Sequence, residues 1–517
     1  MSKGEVKVGQ VELGMANNPA DFQTAIEATK FGKFNVMLLC ISIAGALTMQ
    51  FETGVISFII PMAACDLNLT SSQKGLLNSM AFLGMTTSGC FWGFLLDTLG
   101  RKKPLLIGFL IETLITVGKS FSPRVDLLCV LQFCGGTITG GLYIAVNTYL
   151  HEFHSTEYRG KIQMLYGSMF CFGNVIIPLL SSAVTTLNIS YTIATIKLYS
   201  WNVLFLICAT PSAITTICLY FLPETPKFLM SCNKNDEALT VLKHVYSANT
   251  GQDKELYPVK ALIQEKEEIN EASSKKSWLE YAKIGWKQIA PLFGKKHCLH
   301  LFLVCGIQAL FQVTVNTFRL YMPQLFQAAH DYQVANNASA SMCNILTVLR
   351  TPTAEKENDA VCLVNTENNF QVYLNSTIVA TATMIAYLTA GTFINLLGKK
   401  NLLNILNVTA GITISCLYLS KNMTTTLVLG SLFFLSLSIC FDIFVTIVVV
   451  IFPTTLRAMA FSFSLLIGRS LTVLGNMIVP MLVEMGCAPL LIAWSTLTIS
   501  GFILSCFVPN TDKMDMK

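Results

Sequence analysis

Residues 427–451 read LVLGSLFFLSLSICFDIFVTIVVVI, and Asp442 is their one charged side chain. A helix rises ~1.5 Å per residue and a bilayer's hydrocarbon core is ~30 Å thick, so such a run is long enough to cross it. Comparable runs lie near 35–62, 76–96, 104–121, 126–149, 163–183, 201–222, 299–325, 373–396, 402–420, 460–483 and 488–508. In lipid, backbone groups find no water to pair with, so each run is expected to be a helix. The first run is too long for a signal-peptide core and should stay as a span. Only 13% of the chain is charged, where soluble domains carry about a quarter.

The bases set an orientation. Arg101, Lys102 and Lys103 follow span two, Arg159 and Lys161 span four, Lys399 and Lys400 span eight, and Arg457 span ten. All share one side with both termini, and an excess of Lys and Arg marks the cytoplasmic face. Opposite loops carry Asn-x-Ser/Thr sequons at Asn68, Asn188, Asn337, Asn375 and Asn422. Asn188, Asn337 and Asn375 are the glycosylation candidates; Asn407, inside span nine, should be inert. The bases sit in short clusters beside apolar runs, and the net charge is only +5, so a lipid surface is expected as partner and nucleic acid is not. No Cys-x-x-Cys knot occurs among the 17 cysteines, and neither a metal nor a cofactor is expected.

The second constraint is a repeat. Gly93, Asp97, Gly100, Arg101 and Lys102 map onto Gly391, Asn395, Gly398, Lys399 and Lys400, each 298 residues later, and Arg159 maps onto Arg457 at the same offset. FGNVIIPLL (172–180) parallels LGNMIVPML (474–482) at an offset of 302. Duplication predicts an all-α membrane protein whose twelve transmembrane helices form two pseudo-symmetric six-helix bundles. The expected organisation is a cytoplasmic segment 1–34, bundles 35–222 and 299–508, a cytoplasmic linker 223–298 and a tail 509–517. NDEALTVLKHVYSANTG in the linker should be a surface helix, with Asn235 as N-cap and Gly251 closing it. Residues 327–372 form a large outer loop, where Cys343 and Cys362 are a disulfide candidate.

GFLLDTLGRKK (93–103) resembles the span 2–3 motif of the major facilitator superfamily. YLHEFHSTEYRGK resembles the span 4–5 motif of its sugar-porter and organic-ion branches, and LPETPKFL (222–229) their signature after span six. ADFQTAIEATKFGKFN, QFETGVISFIIP and the large loop are most similar to the synaptic vesicle glycoprotein 2 relatives, particularly the insect ones. The resemblance implies a gating latch of Gly93, Asp97, Gly100, Arg101, Glu152, Arg159, Asn395 and Arg457. In it Gly93 lets helices approach and Asp97 faces the N-terminus of span eleven. Asn395 and Val450 stand where Asp97 and Glu152 have their counterparts, so the halves should latch unequally. The resemblance also places spans one, four, seven and ten around a central cavity.

A charge inside a membrane needs a partner or a task. Glu52, Glu112, Asp442, Arg469, Arg319 and Lys119 lie in apolar runs. Mutual balance is one explanation. Spacing suggests another: Gln308, Gln312 and Asn316 recur every four residues, with Arg319 three further on, as do Ser438, Asp442 and Thr446. The expected solute cavity comprises Glu52, Gln308, Gln312, Asn316, Asp442 and Arg469. Arg469 resembles an arginine of organic-ion transporters that holds charged solute; pairing with Asp442 is its other reading, and Glu112 and Lys119 read as structural. Gln132 stands where proton-driven relatives carry arginine, so a coupling proton or ion is left open. Two functions remain. One is a secondary carrier of a small polar or charged organic solute by alternating access. The other is a non-transporting vesicle or cell-surface protein on the same scaffold. No catalytic constellation or phosphate loop points to an enzyme.

Overall fold

The computed structural model describes residues 19–64, 66–187, 189–193, 196–263, 290–294, 297–337, 339, 341–350, 370–452 and 454–509. Each apolar run is helical. Span one is Lys33–Gly54 continued by Ile56–Ala63, span two Ser71–Leu99, span three Lys102–Ser120 and span four Val125–Glu152. Span five is Thr156–Thr186, and span six is Ser200–Cys208 followed by Thr210–Phe221. In the second bundle, span seven is Cys298–Asn336, span eight Phe370–Leu397, span nine Lys399–Leu417, span ten Met423–Ile451, span eleven Thr454–Met485 and span twelve Cys487–Cys506. Among the described residues nine helices meet the length and hydropathy needed to cross a bilayer. Spans two, three and nine add helices of 29, 19 and 19 residues. The molecule is an all-α membrane protein of two pseudo-symmetric six-helix bundles.

Span three shows how one helix serves lipid and core at once. Ile107, Leu110, Ile111 and Leu114 form an exposed apolar stripe, while Leu105, Gly108, Phe109, Glu112, Thr116 and Lys119 are buried. Spans two and four cross through glycine: a Cβ at Gly84 would lie 2.2 Å from the Phe133 carbonyl, and one at Gly136 2.1 Å from that of Ala81. Such small-residue contacts let backbones touch where no hydrophobic force drives helices together. In the second bundle the Phe318 ring packs edge-on against Phe433 at 4.9 Å and Trp494 at 5.3 Å.

Several expectations need correction. Span seven does not stop at 325 but runs 39 residues, roughly 58 Å at ~1.5 Å each. Gln327, His330 and Asp331 end the hydropathy signal, but nothing in their backbone preference ends a helix. Cys343 does not pair with Cys362, which lies outside the described residues. It is bonded to Cys487, 144 residues away, because the short helix Met342–Arg350 packs against the start of span twelve with the two Cα atoms 5.1 Å apart. Asn375 is buried on span eight, leaving no room for a glycan. Asn337 is exposed in a left-handed turn after span seven, and Asn188 lies outside the described residues.

The linker helix is Asn235–Thr250, with Lys234 rather than Asn235 at the N-cap and Gly251 in the left-handed conformation (φ +73°). Its buried Ala238, Leu242 and Tyr246 pack with Phe22, Ala25 and Ile26 of an N-terminal helix, Phe22–Ala28. Asn249 ties this pair to span one, donating to the carbonyl of Lys30 at 2.8 Å and to Asn35 Oδ1 at 2.8 Å. A two-stranded hairpin, Ser190–Ile193 with Ile196–Tyr199, joins spans five and six. Its β-branched and aromatic residues suit a strand, but four residues are too few to stand out beside helical runs.

Candidate solute site between the two bundles

Spans two and eleven close one end of the molecule, away from the basic loops. A Cβ at Gly75 would lie 2.6 Å from the Asn476 carbonyl and 2.7 Å from Pro480. Ser79 donates to the Val473 carbonyl at 3.2 Å, and Asn476 to that of Asn78 at 3.4 Å. Thr185 of span five meets the Tyr373 hydroxyl of span eight at 3.0 Å. Both seams join one bundle to the other.

Beneath them lies a cavity of about 300 Å³. Gln312, Asn316 and Arg319 of span seven face it, with Ser438 and Asp442 of span ten and Arg469 of span eleven. The first bundle contributes Gln50 and Thr53 from span one, Tyr143 from span four and Asn174 from span five. Residues 312, 316 and 319 fall on one face because three or four residues make about one turn. Arg319 reaches Asn174 Oδ1 and Asn316 Oδ1, each at 3.4 Å, so its guanidinium bridges the bundles. Gln50 donates to Asn174 as well. Among the described residues neither Arg319 nor Arg469 has a carboxylate within ion-pair distance, so the alternative reading of Arg469, pairing with Asp442, is not seen. Tyr143 lies within electrostatic reach of both.

Two expected cavity residues lie elsewhere. Glu52 points about 200° around the helix from Gln50, since each residue advances about 100°. Its carboxylate pairs with Lys119 at 2.5 Å, and Gln132 donates to its carbonyl at 3.0 Å. Glu112 completes this sealed group, with Thr116 donating to it at 3.3 Å. Gly135 makes room: a Cβ there would fall 2.4 Å from Glu52 Oε1 and 2.7 Å from Lys119 Nζ. Gln308 is fully buried, and among the described residues its amide finds no partner. It shares the face of Gln312 and Asn316 but lies one turn nearer the basic end, below the chamber. Sequence reasoning missed Gln50, Asn174 and Tyr143. The repeat offered the signal for Asn174: its counterpart Asn476 lies in the seam above.

The latch residues form a knot within the first bundle. Arg101 pairs with Glu152 at 3.3 Å, donates to the Leu96 carbonyl at 3.1 Å and lies over the Phe228 ring. Glu224 caps span three, accepting from the Arg101 and Lys102 amides at 3.1 and 3.0 Å, where no N-cap side chain does so. Gly100 is left-handed (φ +88°), and a Cβ would strike Glu224. Gly398, its repeat counterpart, is left-handed too (φ +79°). Arg159 donates to the carbonyls of His151 and His154 at 3.1 and 3.0 Å. A Cβ at Gly93 would meet no described atom within 4 Å, so the close helix approach expected there is not made in this conformation. The side chains of Asp97, Asn395, Val450 and Arg457 lie outside the described ones.

A family model described as "Sugar (and other) transporter" matches residues 37–351. Synaptic vesicle glycoprotein 2B of Rattus norvegicus is 30% identical over 230 residues, 44% of this chain and 34% of that protein. Synaptic vesicle glycoprotein 2A of the same species is 28% identical over 267 residues, 50% and 36% of the two chains. The chain thus spans about a third of the length of the curated relatives it matches. The xylose transporter XylE from E. coli, inward open, superposes with a TM-score of 0.64 at 16% identity, covering 93% of this chain and 97% of that one. A D-xylose–proton symporter gives 0.60 at 17%, covering 92% and 98%.

Proposed function

The chain belongs to the sugar (and other) transporter family, and from that premise we propose that it is a secondary-active carrier moving a small polar or charged organic solute by alternating access. The observation that carries this reading is the 300 Å³ chamber between the bundles, with polar side chains set among apolar ones on both walls and one end closed by cross-bundle seams. A ring of amides, hydroxyls and charges facing lipid would be untenable; facing water, it is a binding surface. Rocking of one bundle against the other would break the span 2–11 and 5–8 seams and close the opposite end, around Gly93 and its repeat.

The basic end is assigned to the cytoplasm with both termini. The Cys343–Cys487 bond supports this, because it lies at the other end and disulfides persist in oxidising compartments. The bundles are placed at 35–222 and 299–508, Asn337 is the described candidate exposed enough to carry a glycan, and Asp442 is the cavity group able to take up a coupling proton. A vesicle or plasma membrane suits this arrangement. The likeness to the synaptic vesicle glycoproteins favours a second reading, a scaffold that no longer transports.

Uptake into proteoliposomes, against a panel of organic cations, anions and sugars, separates the two. A carrier should accumulate at least one solute above empty vesicles and lose that uptake in Asn316→Ala and Asp442→Asn. Folded protein that moves no solute would favour the scaffold.

A further inference from the structure

We propose that the chamber is built for an organic anion, held through its carboxylate by Arg319 and Arg469. This deepens the carrier reading and rests on it. Among the described lining residues the charged ones are Arg319, Arg469 and Asp442. With Asp442 ionised the wall carries two positive charges and one negative; with Asp442 protonated it carries two positive charges. Either state leaves it cationic. A cationic solute meets repulsion in both, and a neutral sugar leaves both guanidinium groups uncompensated away from bulk water.

The arginines are not occupied elsewhere. Among the described residues Arg319 donates to two neutral amide oxygens at 3.4 Å, the far limit of a hydrogen bond, and its buried Nε has no partner there. Arg469 has Tyr143 as its electrostatic neighbour. A guanidinium offers five donors in a planar fork that matches a carboxylate, and such charge-assisted contacts are about twice as strong as neutral ones. An arriving carboxylate therefore outcompetes the amide of Asn174 for Arg319. Asn174 belongs to the first bundle and Arg319 to the second, so that exchange removes a contact between the bundles just below the closed seam. Binding of the anion and release of that end become one event.

The test compares three solutes of like size and different charge: glucose, glucuronate and glucosamine, offered to proteoliposomes containing the full chain. Glucuronate should enter fastest. Arg319→Gln and Arg469→Gln should each lower its uptake by about tenfold or more, the loss expected for one charge-assisted partner, while Arg319→Lys retains part of it. Preference for glucose or glucosamine, or unchanged glucuronate uptake in both glutamine variants, overturns the proposal. If none of the three moves, the carrier reading fails for this panel and the anion site is judged by binding alone. Millimolar glucuronate, lactate and glutamate should then raise the heat-unfolding midpoint of purified protein more than their neutral amides do, and the rise should vanish in Arg319→Gln. Equal shifts for acid and amide, or none for any acid, overturn it.

Discussion

Two groups of charges lie within the spans, and the fold treats them oppositely. In the first bundle Glu52, Glu112 and Lys119 are sealed together, with carboxylate and ammonium 2.5 Å apart. In the second, Asp442, Arg469 and Arg319 line the chamber between the bundles without an ion pair among the described residues. Residue type does not separate them, since both sets mix acid and base. The neighbours do: Gly135 lets Glu52 and Lys119 close on each other, whereas no second-bundle helix brings the Asp442 carboxylate to either arginine. A sealed charge depends on its partner for survival in the membrane; an open one depends on water, and remains available to a solute.

The comparison is broken most directly by removing one member of the sealed pair. Lys119→Met leaves Glu52 buried without its counter-ion, and loss of one partner of a buried pair costs about 3–5 kcal/mol. The variant should unfold far earlier on heating, or fail to accumulate. Lys119→Met combined with Glu52→Leu should recover much of that loss, because the two opposite charges leave together and only the Glu112 carboxyl, held by Thr116, remains in the group. A double variant as unstable as the single one would mean that packing, not charge balance, governs this group.

Glu224 tests whether a carboxylate outside the spans matters less. It supplies the N-terminal cap that span three lacks, and losing a cap costs about 0.5–2 kcal/mol. Glu224→Gln should lower stability within that range, and Gly100→Ala should add to the damage by displacing the cap. An unchanged unfolding midpoint for Glu224→Gln would show that water replaces the carboxylate at no cost.

Asp442→Asn is expected to fall lower still. The side chain lines the chamber rather than a packed core and holds no counter-ion among the described residues, so its stability change should stay within about 0.5 kcal/mol while uptake changes. A loss approaching that of Lys119→Met would erase the distinction between sealed and open charges.

Much of this was legible in the residues. Each span announced itself because lipid forces long apolar runs into helices, and the 298-residue repeat announced the two bundles. The site was legible only where periodicity and the wall coincided. Gln312, Asn316 and Asp442 were found because their spacing keeps one helix face. Glu52 was misassigned because its depth is visible in sequence but its azimuth is not: two positions away, Gln50 faces the chamber and Glu52 faces its own bundle. The partner of Cys343 was hidden for a different reason. Sequence proximity pointed to Cys362, while the pairing is decided by how a nine-residue helix lies on span twelve.

His154 offers the smallest and most selective measurement, a buried titratable group with no ion-pair partner among the described residues. It follows span four at the basic end and is only 1% exposed. Its Nδ1 lies 2.6 Å from the Leu150 carbonyl and its Nε2 has no partner. Burial is the main cause holding its pKa below the ordinary histidine value, with His151 and Arg159 adding to it and the Leu150 contact opposing it. Because the folded state takes up this proton less readily than the unfolded one, stability is fully present above the unfolded value of about 6.5 and declines as pH falls below it. The slope cannot exceed about 1.4 kcal/mol per pH unit for one proton. The His154 ring lies 6.1 Å from that of Phe31, which follows the N-terminal helix, so loosening should appear there first. Once the slower intrinsic exchange at low pH is divided out, the protection factors of residues 22–35 and 153–158 should therefore fall between about pH 7 and pH 5.5, and His154→Gln should flatten that change. If the variant keeps the wild-type pH profile, burial without partner or water carries no penalty at this position, and the contrast between the two bundles reduces to their ion pairs.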